Sequence, residues 1–348
     1  MADRVLKNAL VDGTLTDVTV RDGKIAAIGK TDATGYDCEG LNLRPGLIDI
    51  HTHGCGGCDT MDGDLAPLAR FHYAHGTTSF LATTMTAPLD TLEALCRVLP
   101  DRAEGEASCL GFHLEGPFLS PKAKGAQNER YLALPTSTEG IANVKMVTVA
   151  PELPGALEYI RTCGAAVALG HTVADYETAL SAFQAGAKCL THTCNAMPPL
   201  HHREPGVIGA AVTSDAYAQV ICDGIHIHPA MIQVLWRTFG TSRMILISDS
   251  MSATGMPDGT YDLGGQEITV REGIARTQDG ALAGSTSTLY DCVRQAIRFG
   301  IPAEDAFRMA SATPAALLGL NKGTIAVGYD ADFILTDENH ALVKVMIL

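Results

Sequence analysis

Apolar runs of five or six residues, each ending in polar residues, recur through the middle of the sequence. They cover 46–51, 78–83, 109–114, 144–149, 165–169, 188–192, 218–222 and 244–248. Nearly continuous apolar runs of this length suit parallel strands covered on both faces. Stretches with helical spacing lie between them, for example at 66–75, 89–99 and 176–184. Eight strand-then-helix units in succession predict an α/β fold of the (β/α)8 TIM barrel type rather than an open sheet. After the eighth strand, the Gly264-Gly265 and Asp279-Gly280 turns predict a β-hairpin-like insert over 261–282. Two helices, 288–299 and 302–318, then close the barrel.

The ends of the chain read differently. β-prone runs at 5–9, 16–21 and 24–28 are separated by turns at Asp12-Gly13 and Asp22-Gly23. Runs of the same kind occur at 323–327, 331–336 and 342–348. They predict a small β-sandwich domain formed by both chain termini, 1–45 and 323–348, around a barrel domain over 46–322. Chain ends that lie close together make such a domain feasible.

Composition narrows the partners. The chain has 348 residues, 46% hydrophobic and 18% charged, so it can bury a large core. Its net charge of −14 argues against nucleic acid and against an anionic membrane as partners. A small anionic substrate stays possible, because one nearby Arg outweighs a distant field. Ten cysteines without framework spacing read as reduced, mostly buried thiols. There is no apolar N-terminal leader and no run approaching 18 apolar residues. The expectation is a cytoplasmic protein without a signal peptide or membrane span.

Chemistry collects where the strands end. The first finishes in Asp49-Ile50-His51-Thr52-His53, the third in His113-Leu114-Glu115, the fifth in Gly170-His171-Thr172 and the sixth in Thr191-His192-Thr193. The seventh runs into Asp223-Gly224-Ile225-His226 and the eighth into Ser248-Asp249-Ser250. In barrel enzymes this C-terminal end carries the active site. Imidazole and carboxylate are ligands for zinc, iron, manganese or nickel. His51 and His53 have period-two spacing and face the same side of their strand. His51, His53, Glu115, His171, His192 and Asp249 exceed the need of one tetrahedral ion and suffice for two bridged by a carboxylate. A lone His at a strand end is usually a polar residue near solvent; six ligand-type residues on five strands are not a chance placement. The other histidines have blander readings. His72 and His75 fall on a helix, and His201 and His202 flank Arg203. Cys55-Gly56-Gly57-Cys58 reads as loop geometry rather than a redox or zinc pair, and Trp236 as helix packing.

These stretches resemble the amidohydrolase superfamily and, within it, the N-acetylglucosamine-6-phosphate deacetylase family. The likeness covers nearly the whole chain. Its specific stretches are His113-Leu114-Glu115-Gly116-Pro117-Phe118, Asn195-Ala196-Met197, Arg203-Glu204-Pro205-Gly206 and Leu282-Ala283-Gly284-Ser285. The resemblance implies a metal held by Glu115, His171 and His192, and a second held by His51 and His53 with Glu115 bridging. The ions are divalent, zinc or iron foremost, and one or two are bound. It implies Asp249 as catalytic acid and base. It implies an amino-sugar phosphate held by Ala126, Gln127, Asn195, Ala196, Arg203, His226 and the backbone of Leu282, Ala283 and Gly284. It further implies a homodimer, with Arg203 as the residue that reaches the neighbouring subunit's phosphate.

One position departs from the family. Lys124-Gly125-Ala126-Gln127 stands where the family has Lys-Gly-Ala-His, and that His is expected to polarise the acetyl carbonyl. Gln127 fits a natural variant of lower activity, a different acyl substrate, or an introduced substitution. Rival readings are a dihydroorotase, a hydantoinase or a nucleobase deaminase, and the N-acetylgalactosamine 6-phosphate epimer as substrate. From a different class comes a catalytically impaired binding protein. Dihydroorotase-like members use a Lys after the fourth strand, where this chain has Ala150-Pro151-Glu152.

Overall fold

The structure, a computed structural model, describes residues 4–348. Eight parallel strands pair in sequential order. They are β1 (Leu47–Thr52), β2 (Thr77–Thr84), β3 (Ser108–Glu115), β4 (Val144–Val149), β5 (Ala166–Leu169), β6 (Cys189–Leu190), β7 (Tyr217–Ile221) and β8 (Met244–Ile247). The chain after β8 returns to β1: the Asp249 N–H donates to the His51 carbonyl at 2.9 Å and the His53 N–H to the Ser250 carbonyl at 2.8 Å. These bonds close a (β/α)8 barrel.

Helices cover the outside. They are α1 (Ala66–Ala74), α2 (Leu89–Cys96), α3 (Ala156–Thr162), α4 (Tyr176–Ala185), α5 (Gly206–Thr213), α6 (Pro229–Phe239), α7 (Leu289–Arg298), α8 (Ala303–Met309) and α9 (Ala312–Leu318). Local chemistry starts several of them. The Asp175 carboxylate accepts from the Thr178 N–H at 2.9 Å at the head of α4, and Thr288 with Asp291 forms a reciprocal cap on α7. Between β3 and β4 the chain makes only short 3-10 turns, Pro121–Ala123 and Glu129–Tyr131. That long loop folds over the C-terminal end of the barrel and brings Gln127 to it.

The barrel interior is layered. By the period of two, Ile247 shares a face with Asp249, Leu81 with Thr83, and Met146 with Thr148. Leu81, Met146, Ala168, Cys189, Ile221, Ile245 and Ile247 form an apolar layer, joined by Ala315 and Leu317 of α9. The polar residues one step further along the strands sit above this floor. A larger core between strands and helices includes Phe80, Phe112, Leu114, Val147, Leu169, Val220 and Leu246.

Both chain ends build one seven-stranded sheet. The strand Asn42–Pro45 pairs antiparallel with Asp332–Thr336, and this joins the N-terminal strands to the C-terminal pair. Leu6, Val18, Ile25, Leu43, Phe333 and Met346 fill its core.

Three details differ from the sequence reading. The run 323–327 is a loop rather than a strand, because Gly323 (φ +72°) and Gly328 (φ +91°) bend it out of extended geometry at both ends. The insert after β8 has three antiparallel strands, Gly259–Leu263, Gln266–Arg271 and Ile274–Thr277, rather than two. The helix read over 302–318 breaks at Ala310 and Ser311. Pro314 cannot donate to the Ala310 carbonyl and its ring clashes there, so that carbonyl accepts the Ile48 N–H of β1 at 2.8 Å instead.

Gly323 yields a stability expectation. A Cβ there would stand 2.4 Å from the Ser311 carbonyl oxygen, on a backbone that disfavours side chains. Gly323→Ala is expected to cost about 2 kcal/mol and to lower Tm by several degrees. A thermal melt that superposes on the wild type would show that the loop relaxes freely.

Candidate metal centre

Six side chains converge at the C-terminal end of the barrel, and all are buried. His51, His53 and Asp249 offer one group of ligand atoms, and Glu115, His171 and His192 another. The Glu115 carboxylate lies between them. Its Oε1 is 2.9 Å from His192 Nε2, 3.2 Å from His171 Nε2 and 3.3 Å from His51 Nε2. Its Oε2 is 3.1 Å from His53 Nε2. Asp249 Oδ1 lies 3.3 Å from His51 Nε2 and 3.4 Å from His53 Nε2.

The backbone works to hold these side chains. His171 (φ +46°), His192 (φ +25°) and Asp249 (φ +49°) adopt left-handed conformations that side chains rarely take. Each costs of the order of 1 kcal/mol or more, which the surrounding structure must offset. In the loop after β3, a Cβ on Gly116 (φ +100°) would stand 2.1 Å from Thr86 Oγ1, so only glycine lets the chain turn there directly behind Glu115.

Neighbours fix the imidazoles. His171 Nδ1 is 2.9 Å from the Ala123 carbonyl and His51 Nδ1 is 3.0 Å from Gln219 Oε1. Those oxygens only accept, so Nδ1 carries the hydrogen and Nε2 turns its lone pair inward. His171 Nε2 and His192 Nε2 are 3.0 Å apart, and His51 Nε2 and His53 Nε2 are 3.3 Å apart. Facing ring nitrogens at such distances need a proton or a metal cation between them. The donor set therefore fits divalent metal, with hard carboxylate oxygens and borderline imidazole nitrogens.

Electrostatics agree with this reading. Burial opposes the charge on His53, yet the Asp249 and Glu115 carboxylates push its pKa up to about 10. Burial likewise opposes ionisation of Asp249, but His51 and His53 bring it down to about 2. Glu115 is held well below the usual carboxylate range by His51 and His171 despite its burial. The cluster thus favours positive charge at its centre, as protons or as metal. His113 is different. Burial lowers its pKa well below the ordinary value, and its Nε2 pairs with Thr148 Oγ1 at 2.8 Å. It is a neutral residue of the wall beside His51.

A cavity of about 300 Å³ opens above the cluster. His53, Glu115, His171, His192 and Asp249 line its floor. Of the residues proposed from sequence to hold substrate, Ala126, Gln127, Asn195, Ala196, His226, Leu282 and Gly284 line its walls. His226 is held by Asp223, whose Oδ2 is 2.7 Å from its Nδ1. Two further residues of that set, Arg203 and Ala283, do not line this cavity. Arg203 is exposed, does not line the cavity, and contacts His202 Nε2 at 2.7 Å. Ala283 is fully buried beside the cavity, and its N–H donates to the Ala275 carbonyl at 3.2 Å. Met85, Ala123, Gly125, Leu263 and Ala281 line the cavity without having been singled out from sequence. Gln219 was also missed, although one buried polar residue in an apolar strand is a readable signal. Leu263, Ala281 and Leu282 come from the insert after β8, and Gln266 of the insert donates to the Ala126 carbonyl. The insert thus forms one wall of the site.

Comparison with known proteins places this geometry. The amidohydrolase family profile matches residues 42–347. An N-acetylglucosamine-6-phosphate deacetylase of Vibrio furnissii is 41% identical over 352 residues, spanning 94% of this chain and 88% of that one. An N-acetylgalactosamine-6-phosphate deacetylase of Escherichia coli O157:H7 is 38% identical over 348 residues, spanning 94% of this chain and 92% of that one. Among solved structures, a mutant N-acetyl-D-glucosamine-6-phosphate deacetylase of Mycobacterium smegmatis in complex with N-acetyl-D-glucosamine-6-phosphate superposes with a TM-score of 0.91 at 33% identity. That match covers 99% of this chain and 98% of the other.

Proposed function

The chain belongs to the amidohydrolase family, and on that premise we propose that it hydrolyses the acetamide of N-acetylglucosamine 6-phosphate to glucosamine 6-phosphate and acetate. The observation that carries this reading is the convergence of six ligand-type side chains beneath a cavity walled by Asn195, His226 and the insert. Glu115, His171 and His192 would hold one divalent cation; His51, His53 and Asp249, sharing Glu115, would hold a second. Zinc and iron both suit these donors. A bound cation supplies Lewis-acid polarisation of the acetyl carbonyl and a water acidic enough to ionise near neutrality.

The chain's own residues do the rest. The Asp249 carboxylate accepts the proton of the attacking water as the new C–O bond forms. It returns that proton to the nitrogen as the C–N bond breaks, so one group serves as base and then acid. Asn195 and the backbone around Leu282 and Gly284 face the sugar. His226, carried by Asp223, faces the phosphate. The exposed Arg203 suits a contact with the phosphate in a neighbouring subunit of a homodimer, and sedimentation mass tests the dimer. No helix of the described residues is long and apolar enough to cross a membrane. With its ten free cysteines, the chain suits the reducing cytoplasm.

Acetate release from N-acetyl hexosamine 6-phosphates, measured side by side, tests the reaction. A clear preference for the glucosamine epimer is expected. The relative that acts on the galactosamine epimer makes that sugar the second reading, and a preference for it would replace the first. No release from any of them, with metal bound, would leave a non-catalytic binding protein.

His226 adds a pH expectation. Burial opposes its charge, but the Asp223 carboxylate outweighs burial and raises its pKa above 6.5. Its attraction for a phosphate is present below the raised pKa and lost as pH climbs through it. In Asp223→Asn that loss is expected at lower pH, so KM begins to rise nearer neutrality while kcat changes less. Coincident KM–pH profiles for the two enzymes would remove His226 from the phosphate subsite.

A further inference from the structure

Gln127 is buried at 2% exposure, and its amide is fully committed. Its Oε1 accepts the Thr86 N–H at 2.8 Å. A backbone N–H can only donate, so the amide oxygen must face Thr86 and the NH2 must face Glu115. Nε2 then donates to Glu115 Oε2 at 2.7 Å, and it also contacts Met85 Sδ at 3.8 Å. A side-chain amide has two N–H donors, and both already have partners. Gln127 therefore has none left for the acetyl carbonyl, which is the task expected of a His at this position.

The partner it holds is the group between the two ligand sets. The last torsion of a Glu side chain is broad, so the Glu115 carboxylate turns easily unless something stops it. Oε1 lies among His51, His171 and His192. Oε2 has His53 and Gln127 beside it. We infer that Gln127 is a positioning residue that sets the rotation of the Glu115 carboxylate, giving Oε1 to the His171–His192 pair and turning Oε2 to His53 of the second group. It thereby supports cation binding chiefly in the second group. An amide suits this place because it donates without adding charge beside two cations; a protonated imidazole would oppose the second one. The inference rests on reading both groups as metal ligands.

Protein stripped by chelation and titrated with Co2+ against a chromophoric chelator tests it. Wild type is expected to bind two ions per protomer. In Gln127→Leu the weaker site is expected to lose about 10–100-fold in affinity, the usual range for removing a hydrogen bond behind a ligand. The stronger site is expected to stay close to its wild-type affinity, which also reports that the barrel is folded. In His53→Asn, which disables the second group directly, adding Gln127→Leu should change the remaining site no further. Two unchanged sites in Gln127→Leu, or equal losses at both, would overturn the inference. So would a wild type that binds one ion, while acetate release from that enzyme would leave the deacetylase reading standing. A wild type that binds no ion and releases no acetate would take both down together.

Discussion

Asp249→Asn is expected to lower kcat by about 10³–10⁴-fold, the upper range for a positioned proton-transfer group. The side chain keeps its size, so the cavity and the apolar floor beneath it should stay intact. The loss is the ability to take a proton: the carboxylate stands 3.3 Å from His51 Nε2 and 3.4 Å from His53 Nε2, at the cavity floor. An amide there can still accept a hydrogen bond but cannot accept a proton from water and return it to the leaving nitrogen. The cation held by Glu115, His171 and His192 should remain, because none of its ligands is touched. Acetate release and metal content measured on one preparation separate these effects. A kcat within tenfold of wild type would show that another group moves the proton.

Glu115→Gln is expected to be the other severe lesion, through metal loss rather than proton transfer. Among the described residues, Glu115 alone contacts all four imidazoles. Its charge holds both ligand groups together, and a neutral amide presents a weakly binding oxygen and an NH2 that repels cations. Lewis-acid stabilisation is worth several kcal/mol, or about a thousandfold or more in rate. Turnover should fall at least that far, with metal content dropping below one ion per protomer. Chelation of the wild type should abolish turnover, and zinc or iron should restore it; the variant should not respond. Full metal content with normal turnover in Glu115→Gln would refute the bridging role.

Much of the site was legible in the sequence because strand ends are local features. A strand of the barrel is a short apolar run, and the side chain that caps it belongs to the adjoining residue of the chain. His51, Glu115, His171, His192 and Asp249 could thus be put at one end of the barrel without coordinates. The pairing of His51 with His53 came from the period of two. Less local features resisted. Gln127 lies in a long loop without regular structure, and no periodicity says which way its amide points. Arg203 does not line the cavity of its own chain, and a contact with a neighbouring subunit is not something one chain's sequence pattern encodes. The run 323–327 looked extended, because hydropathy does not report the left-handed backbone at Gly323 and Gly328.

The sequence alone therefore determined the barrel, the joining of both chain ends, and the chemical types gathered at the strand ends. Those come from apolar periodicity and residue chemistry, which are properties of neighbours along the chain. The tertiary structure decided which oxygen of Glu115 faces which imidazole, that the Gln127 amide is spent on Thr86 and Glu115, and that the insert walls the cavity. Those depend on torsions and on contacts between residues far apart in sequence. Each is selected by packing energies that no local stretch of sequence contains.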